Sequence, residues 1–217
     1  MFTINPPLQL GIALAFVTIL MPLFAGIARY RTLTTELRGL VWFCGISFVL
    51  DGASSVIWLY NTSNLWIGHL HTILEFMVLA NLYRLTLKGF APRQLLPLVM
   101  IGFALLAIVN TVLVQQLSLN NSYIKILEAL LLIALAMAWF YKAATELTVQ
   151  HMEREAMFWI SCGMLLYFAG NLFVFLFSNQ ILHYSAELGV RLWFIHAVFF
   201  TIFNVLLMIG LWSRPKN

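Results

Sequence analysis

His71 and Glu75 stand four residues apart in the stretch GHLHTILEF. On a helix that spacing puts both side chains on one face, and an imidazole and a carboxylate one turn apart can share a proton or hold one ion. Four more polar residues interrupt apolar runs in the same way: Asp51 in VLDGASS, Glu128 in IKILEALLL, Asn171 in FAGNLF and His196 in WFIHAVFF. Ser47, Ser54 and Ser55 accompany Asp51, so a hydrogen-bonded clamp and a functional carboxyl are both open there. Lys125 precedes Glu128 by three residues, which allows a local ion pair. His69 lies nearer the edge of its stretch and points elsewhere, and Asn81, Asn110 and Asn204 read as polar links between helices.

Two chemistries suit such residues. A divalent metal would take His71 and Glu75 as ligands one helical turn apart, with His196 or Glu128 as a third and an open position for water. A proton site would instead titrate as a coupled unit, and the metal-free form is the expectation here because one histidine pair spacing alone fits a metal. Retinal is excluded, since residues 190–212 contain no lysine for a Schiff base. The strings His-Glu-x-x-His and Gly-x-Ser-x-Gly are also missing, so intramembrane proteolysis has no support. Seven-helix zinc hydrolases of the adiponectin-receptor and alkaline-ceramidase type combine a serine, an aspartate and histidines, which Ser54 or Ser55, Asp51, His71 and His196 could supply. Their last helix pairs histidines four apart, whereas Phe200 follows His196 at that spacing.

The elements that carry these residues are set by composition. The chain is 62% hydrophobic and 9% charged, with a mean hydropathy of +0.93, where soluble domains carry about a quarter charged residues. A bilayer core of about 30 Å needs roughly 20 helical residues. The sequence therefore predicts an all-α polytopic membrane protein, one seven-helix domain over 1–217 with spans near 8–28, 38–60, 66–87, 95–115, 122–142, 155–178 and 190–212. Of its 12 Lys and Arg residues, Arg29, Arg31, Arg38, Arg84, Lys88, Arg93, Lys142, Arg154, Arg214 and Lys216 fall on one side of these spans. The positive-inside rule then puts the N-terminus outside and the C-terminus in the cytoplasm. At 1.5 Å per residue the six polar side chains lie roughly 8 to 14 Å below the extracytoplasmic boundary, on five helices. Because an ionised group at mid-membrane costs roughly 2.5 to 3.5 kcal/mol, they are expected to face the interior together.

Boundaries and seams are legible as well. The start MFTINPPLQLG lacks a basic signal-peptide start and cleavage site, so the first span is expected to be retained. Pro6 and Pro7 are expected to precede the first span, and Pro22 to kink or end its regular helix near Thr18. Gly11, Ala15, Gly45, Gly52, Gly163 and Gly170 offer close-packing positions, Trp66, Trp193 and Trp212 read as interfacial anchors, and Cys44 and Cys162 as packing residues without a disulfide. The basic residues are spread over separate short loops and form no single patch, which excludes nucleic acid as a partner.

The strings GHLHTILEF, ILEALLLIALAMAWFY, MEREAMFWISCGMLLYFAGNLFVFLFSN and LWFIHAVFFTIFNVLLMIGLW resemble those of a group of small bacterial seven-helix integral membrane proteins that have no assigned activity. The resemblance covers spans three and five to seven and implies the inner, cytoplasmic membrane of a bacterium, multi-pass in the lipid bilayer. The expected function is a sensor or receptor-like bundle with a polar pocket in its extracytoplasmic half, whose output a membrane or cytoplasmic signalling partner would carry. A metal-assisted lipid hydrolase and a small transporter or proton relay are the alternatives.

Overall fold

The computed structural model describes residues 6–60, 63–117, 119–146, 151–184 and 186–213. The described residues form eight α-helices: α1 (Pro6–Val17), α2 (Leu20–Arg29), α3 (Thr35–Leu59), α4 (Leu65–Thr86), α5 (Leu95–Val109), α6 (Ser122–Thr145), α7 (Ala156–Tyr184) and α8 (Ala186–Trp212). A wider π-type turn at Asn110–Val114 prolongs α5. With α1 and α2 taken as one broken element, seven helices are long and apolar enough to cross a membrane, as the 20-residue requirement demands.

Pro22 breaks the first span where its missing N–H requires. The amide of residue 22 cannot reach the Thr18 carbonyl, so Met21 N donates to Thr18 O at 3.0 Å and the regular helix stops at Val17 and resumes at Leu20. Thr18 Oγ1 accepts from Asn204 Nδ2 at 2.9 Å, so the break is tied to α8. Pro6 and Pro7 stand inside the first turn of α1 and do not precede it, because the first turn leaves its N–H groups unpaired in any case.

Packing runs in a ring: α3 on α4, α4 on α6, α6 on α7, α7 on α8, and α8 on α1 and α2, with α2 returning to α3. The fourth span stands outside this ring and packs chiefly on α4. It is the most apolar span, at a mean hydropathy of 2.4, and 17% of it is buried against 50% for the sixth. Gly170 makes one seam possible: a Cβ there would collide with the Phe199 ring. Gly26 does the same against Val41, a close approach that the sequence did not announce. At Gly45 and Gly52, by contrast, a Cβ would meet ordinary van der Waals contacts of 3.7 and 3.8 Å.

The region expected as a loop, SNQILHYSAELGV, is helical at 178–184 and 186–190. Nothing in QILHY or AEL breaks a helix, so α7 continues for 29 residues, roughly 43 Å at 1.5 Å per residue. One end of the bundle carries Arg29, Arg31, Arg38, Arg84, Lys88, Arg93, Lys142 and Arg154, and is called the basic end below. Several of these cations close helix C-termini, where the carbonyls lack partners. Arg29 donates to the Trp212 carbonyl and, at 3.1 Å, to Ser213 O, and Lys142 Nζ donates to Thr86 O at 2.8 Å. Arg214, Pro215 and Lys216 lie outside the described residues.

Candidate functional site

The interior divides into two zones. Toward the basic end Phe76, Leu79, Leu132, Met164, Phe168 and Leu207 are all buried, and Tyr83 and Ser161 hydrogen-bond across the ring at 3.0 Å. Above this apolar zone lie the polar residues of α3, α4, α6, α7 and α8. Glu128 is wholly buried, and neither carboxylate oxygen has a hydrogen-bond partner among the described residues. Glu75 is 4% exposed and acts electrostatically on Glu128, and Asp51 acts on Glu75. Asp51 itself is half-buried, and its carboxyl has no hydrogen bond among the described residues.

Lys125 is the cation of this zone. Its charge reaches Asp51, His71, Glu75, Glu128 and His196. The local ion pair that its spacing from Glu128 allowed is not formed. The ammonium instead lies over the Phe175 ring, 5.3 Å from its centroid, where the face of the π-system attracts a cation.

His71 and His196 are each held by one hydrogen-bond partner. His71 Nε2 pairs with Ser47 Oγ at 3.0 Å, and the ring stacks 6.4 Å from Phe43. His196 Nδ1 pairs with Asn171 Oδ1 at 3.0 Å, and Asn171 Nδ2 donates to Tyr167 O at 2.8 Å. Around His196 stand Tyr167, Phe175, Trp193 and Phe200, with ring centroids 5.4 to 6.2 Å away. Trp193 is thus a direct neighbour of the histidine. Asn171 and His196 are therefore brought into contact. Asp51, Glu75 and Glu128 share one electrostatic neighbourhood, and His71 acts on His196 from across it.

The serine clamp around the Asp51 carboxyl is not formed. Ser47 turns to His71, Ser54 Oγ accepts from Asn64 Nδ2 at 2.9 Å, and Ser55 Oγ donates to the backbone of Asp51 at 2.8 Å. His69 does point away from the layer, yet it is buried: Nδ1 pairs with Thr111 Oγ1 at 2.9 Å and Nε2 with Leu119 O at 3.1 Å. It joins a knot in which Asn110 Nδ2 donates to Gln115 Oε1 and Asn121 Oδ1, which fixes the turn into α6. Asn110 and Asn204 thus make the polar links expected of them. Asn81 instead accepts from Arg84 on its own helix at 2.9 Å.

Sequence reasoning passed over Tyr167. Its ring stacks 4.9 Å from Phe203, and all three carboxylates of the layer act on it. The signal lay in its position four residues before Asn171, on the same helical face. Among the described residues no three His, Cys, Asp or Glu side chains are grouped closely enough to hold a metal ion. Two hollows of about 660 and 560 Å³ lie elsewhere, one between α2 and α8 and one at the turn from α4 to α5. No family model, curated protein or solved structure matches the chain.

Proposed function

We propose that this is a receptor-like protein of a bacterial inner membrane whose polar layer takes up a proton as its signal, with the N-terminus outside and the layer in the extracytoplasmic half. One observation carries the reading: Glu128 is wholly buried with neither carboxylate oxygen hydrogen-bonded among the described residues, Glu75 is buried as well, and Lys125 is the one Lys or Arg whose charge acts on them and on Asp51. Fully ionised, these four groups would hold two excess negative charges inside an apolar bundle, which is costly. Protons on the carboxyls remove that excess, and the Lys125 ammonium can turn from the Phe175 ring toward whichever carboxylate stays charged. Proton number is thereby linked to a side-chain rearrangement, which is what a receptor needs.

The apolar zone below the layer favours a receptor over a relay, because it interposes closely packed Phe, Leu and Met side chains before the basic end. A partner protein would then read the change at the cytoplasmic side. Infrared difference spectroscopy of the purified protein between acid and neutral pH tests the reading. A carboxylic acid band that weakens in Glu75→Gln and in Glu128→Gln, and vanishes in the double variant, is expected. A spectrum unchanged by both substitutions would end the proposal.

A further inference from the structure

A second site lies at the opposite end of the bundle and is independent of the polar layer. Where α4 turns into α5, a hollow of about 560 Å³ is lined by Arg84, Lys88 and Arg93 together with Leu85, Pro92 and Leu96. The turn brings these cations together. Gly89 takes a φ of +82°, a left-handed conformation that glycine adopts without strain. Phe90 N and Ala91 N then both donate to Leu87 O, at 3.1 and 3.3 Å, and fold the chain back over the end of α4.

The cations there are uncompensated. Arg84 spends Nε on Asn81 Oδ1, which leaves the outer edge of its guanidinium available. The side chains of Lys88 and Arg93 make no hydrogen bond or ion pair among the described residues, and no acidic residue lines the hollow. The acid Glu146, just past the end of α6, is already engaged with Lys142 at 4.0 Å, whose ammonium also donates to Thr86 O and Lys88 O. Three cations beside one another repel, and a group with several anionic oxygens relieves that repulsion with charge-assisted hydrogen bonds. Leu85, Pro92 and Leu96 share the lining with them, an apolar floor that a free inorganic anion would leave uncovered.

We infer that this hollow binds the phosphate of an anionic phospholipid, with Lys88, Arg93 and Arg84 on the phosphate and the glycerol and upper acyl chain against the apolar floor. Basic pockets between membrane helices bind anionic headgroups in this way. The shared chemistry is a phosphate, and the lipid is the source that satisfies both parts of the hollow.

The full-length protein in neutral detergent, titrated separately with phosphatidylglycerol, phosphatidylcholine and inorganic phosphate, provides the test. Bound lipid is counted by native mass spectrometry and thermal unfolding is followed in parallel. Phosphatidylglycerol is expected to bind and raise the unfolding temperature, phosphatidylcholine to do neither, and inorganic phosphate to protect weakly. The Lys88→Gln/Arg93→Gln variant is expected to lose roughly tenfold or more in phosphatidylglycerol affinity while unfolding at the same temperature as the parent without lipid. A control, Arg31→Gln/Arg154→Gln, removes equal charge from the same end away from the hollow and is expected to bind as the parent does. Equal losses in both variants, or equal binding of phosphatidylcholine, would overturn the site. Full protection by inorganic phosphate alone would overturn the lipid assignment.

Discussion

At the scale of single residues, Asn171 is the clearest case of a side chain used at both ends. It is fully buried, gives its Nδ2 to Tyr167 O, and faces His196 Nδ1 with Oδ1. Interhelical hydrogen bonds between membrane helices are worth about 0.6 kcal/mol on average and about 1.7 at most. Asn171→Leu should therefore lower stability by about 1 to 2 kcal/mol, measured by unfolding in mixed micelles. In a double-mutant cycle with His196→Ala most of that loss should appear as coupling, whereas additive losses would show that the pair contributes no interaction energy. The residue types of this pair were visible in the sequence because polar atoms stand out in apolar runs. Partners were less visible: depth along a helix follows from counting residues, but rotation about its axis does not. Ser47 accordingly went to His71 and not to the Asp51 carboxyl, and Lys125 to the Phe175 ring and not to Glu128.

Among the elements, the broken first span and the α7–α8 seam carry the arguments. Thr18 Oγ1, at the break that Pro22 makes in the first span, accepts from Asn204 Nδ2, and Asn204 is buried at 1% exposure. Thr18→Val removes that acceptor without a change of shape, so a loss of about 1 kcal/mol is expected from thermal unfolding. Thr18→Ser should retain most of the stability, and equal losses in both variants would point to packing instead. Gly170→Ala should cost more, about 1 to 3 kcal/mol, because its new Cβ would occupy the place of the Phe199 ring. Pairing it with Phe199→Leu should recover part of the loss. Helix positions and the proline break were legible because length, hydropathy and a missing N–H act locally. The helical continuation of α7 was not, since polar residues such as Ser178 and Asn179 read as a loop, whereas Ser178 is buried in the helix and its Oγ donates to Phe175 O.

For the whole molecule, the ten-to-two division of basic residues predicts a cytoplasmic C-terminus and an exported N-terminus. Fusions of a periplasmic phosphatase and a cytoplasmic fluorophore to each end measure this directly, and an active phosphatase at the C-terminus would reverse the orientation. Ring order, unlike span number, could not be read from the chain, because every span is apolar on several sides and the fourth stands apart from its sequence neighbour α6. The ring closes where α8 meets α1 and α2, through Asn204 on Thr18 and Arg29 on the last carbonyls of α8. That closure has a consequence for biosynthesis. If the seven helices enter a membrane in chain order, the first would wait with Thr18 unpaired while five others are made. The bundle could then shut only when the seventh arrives, and a chain stalled before α8 would stay an open fan until its last helix is delivered.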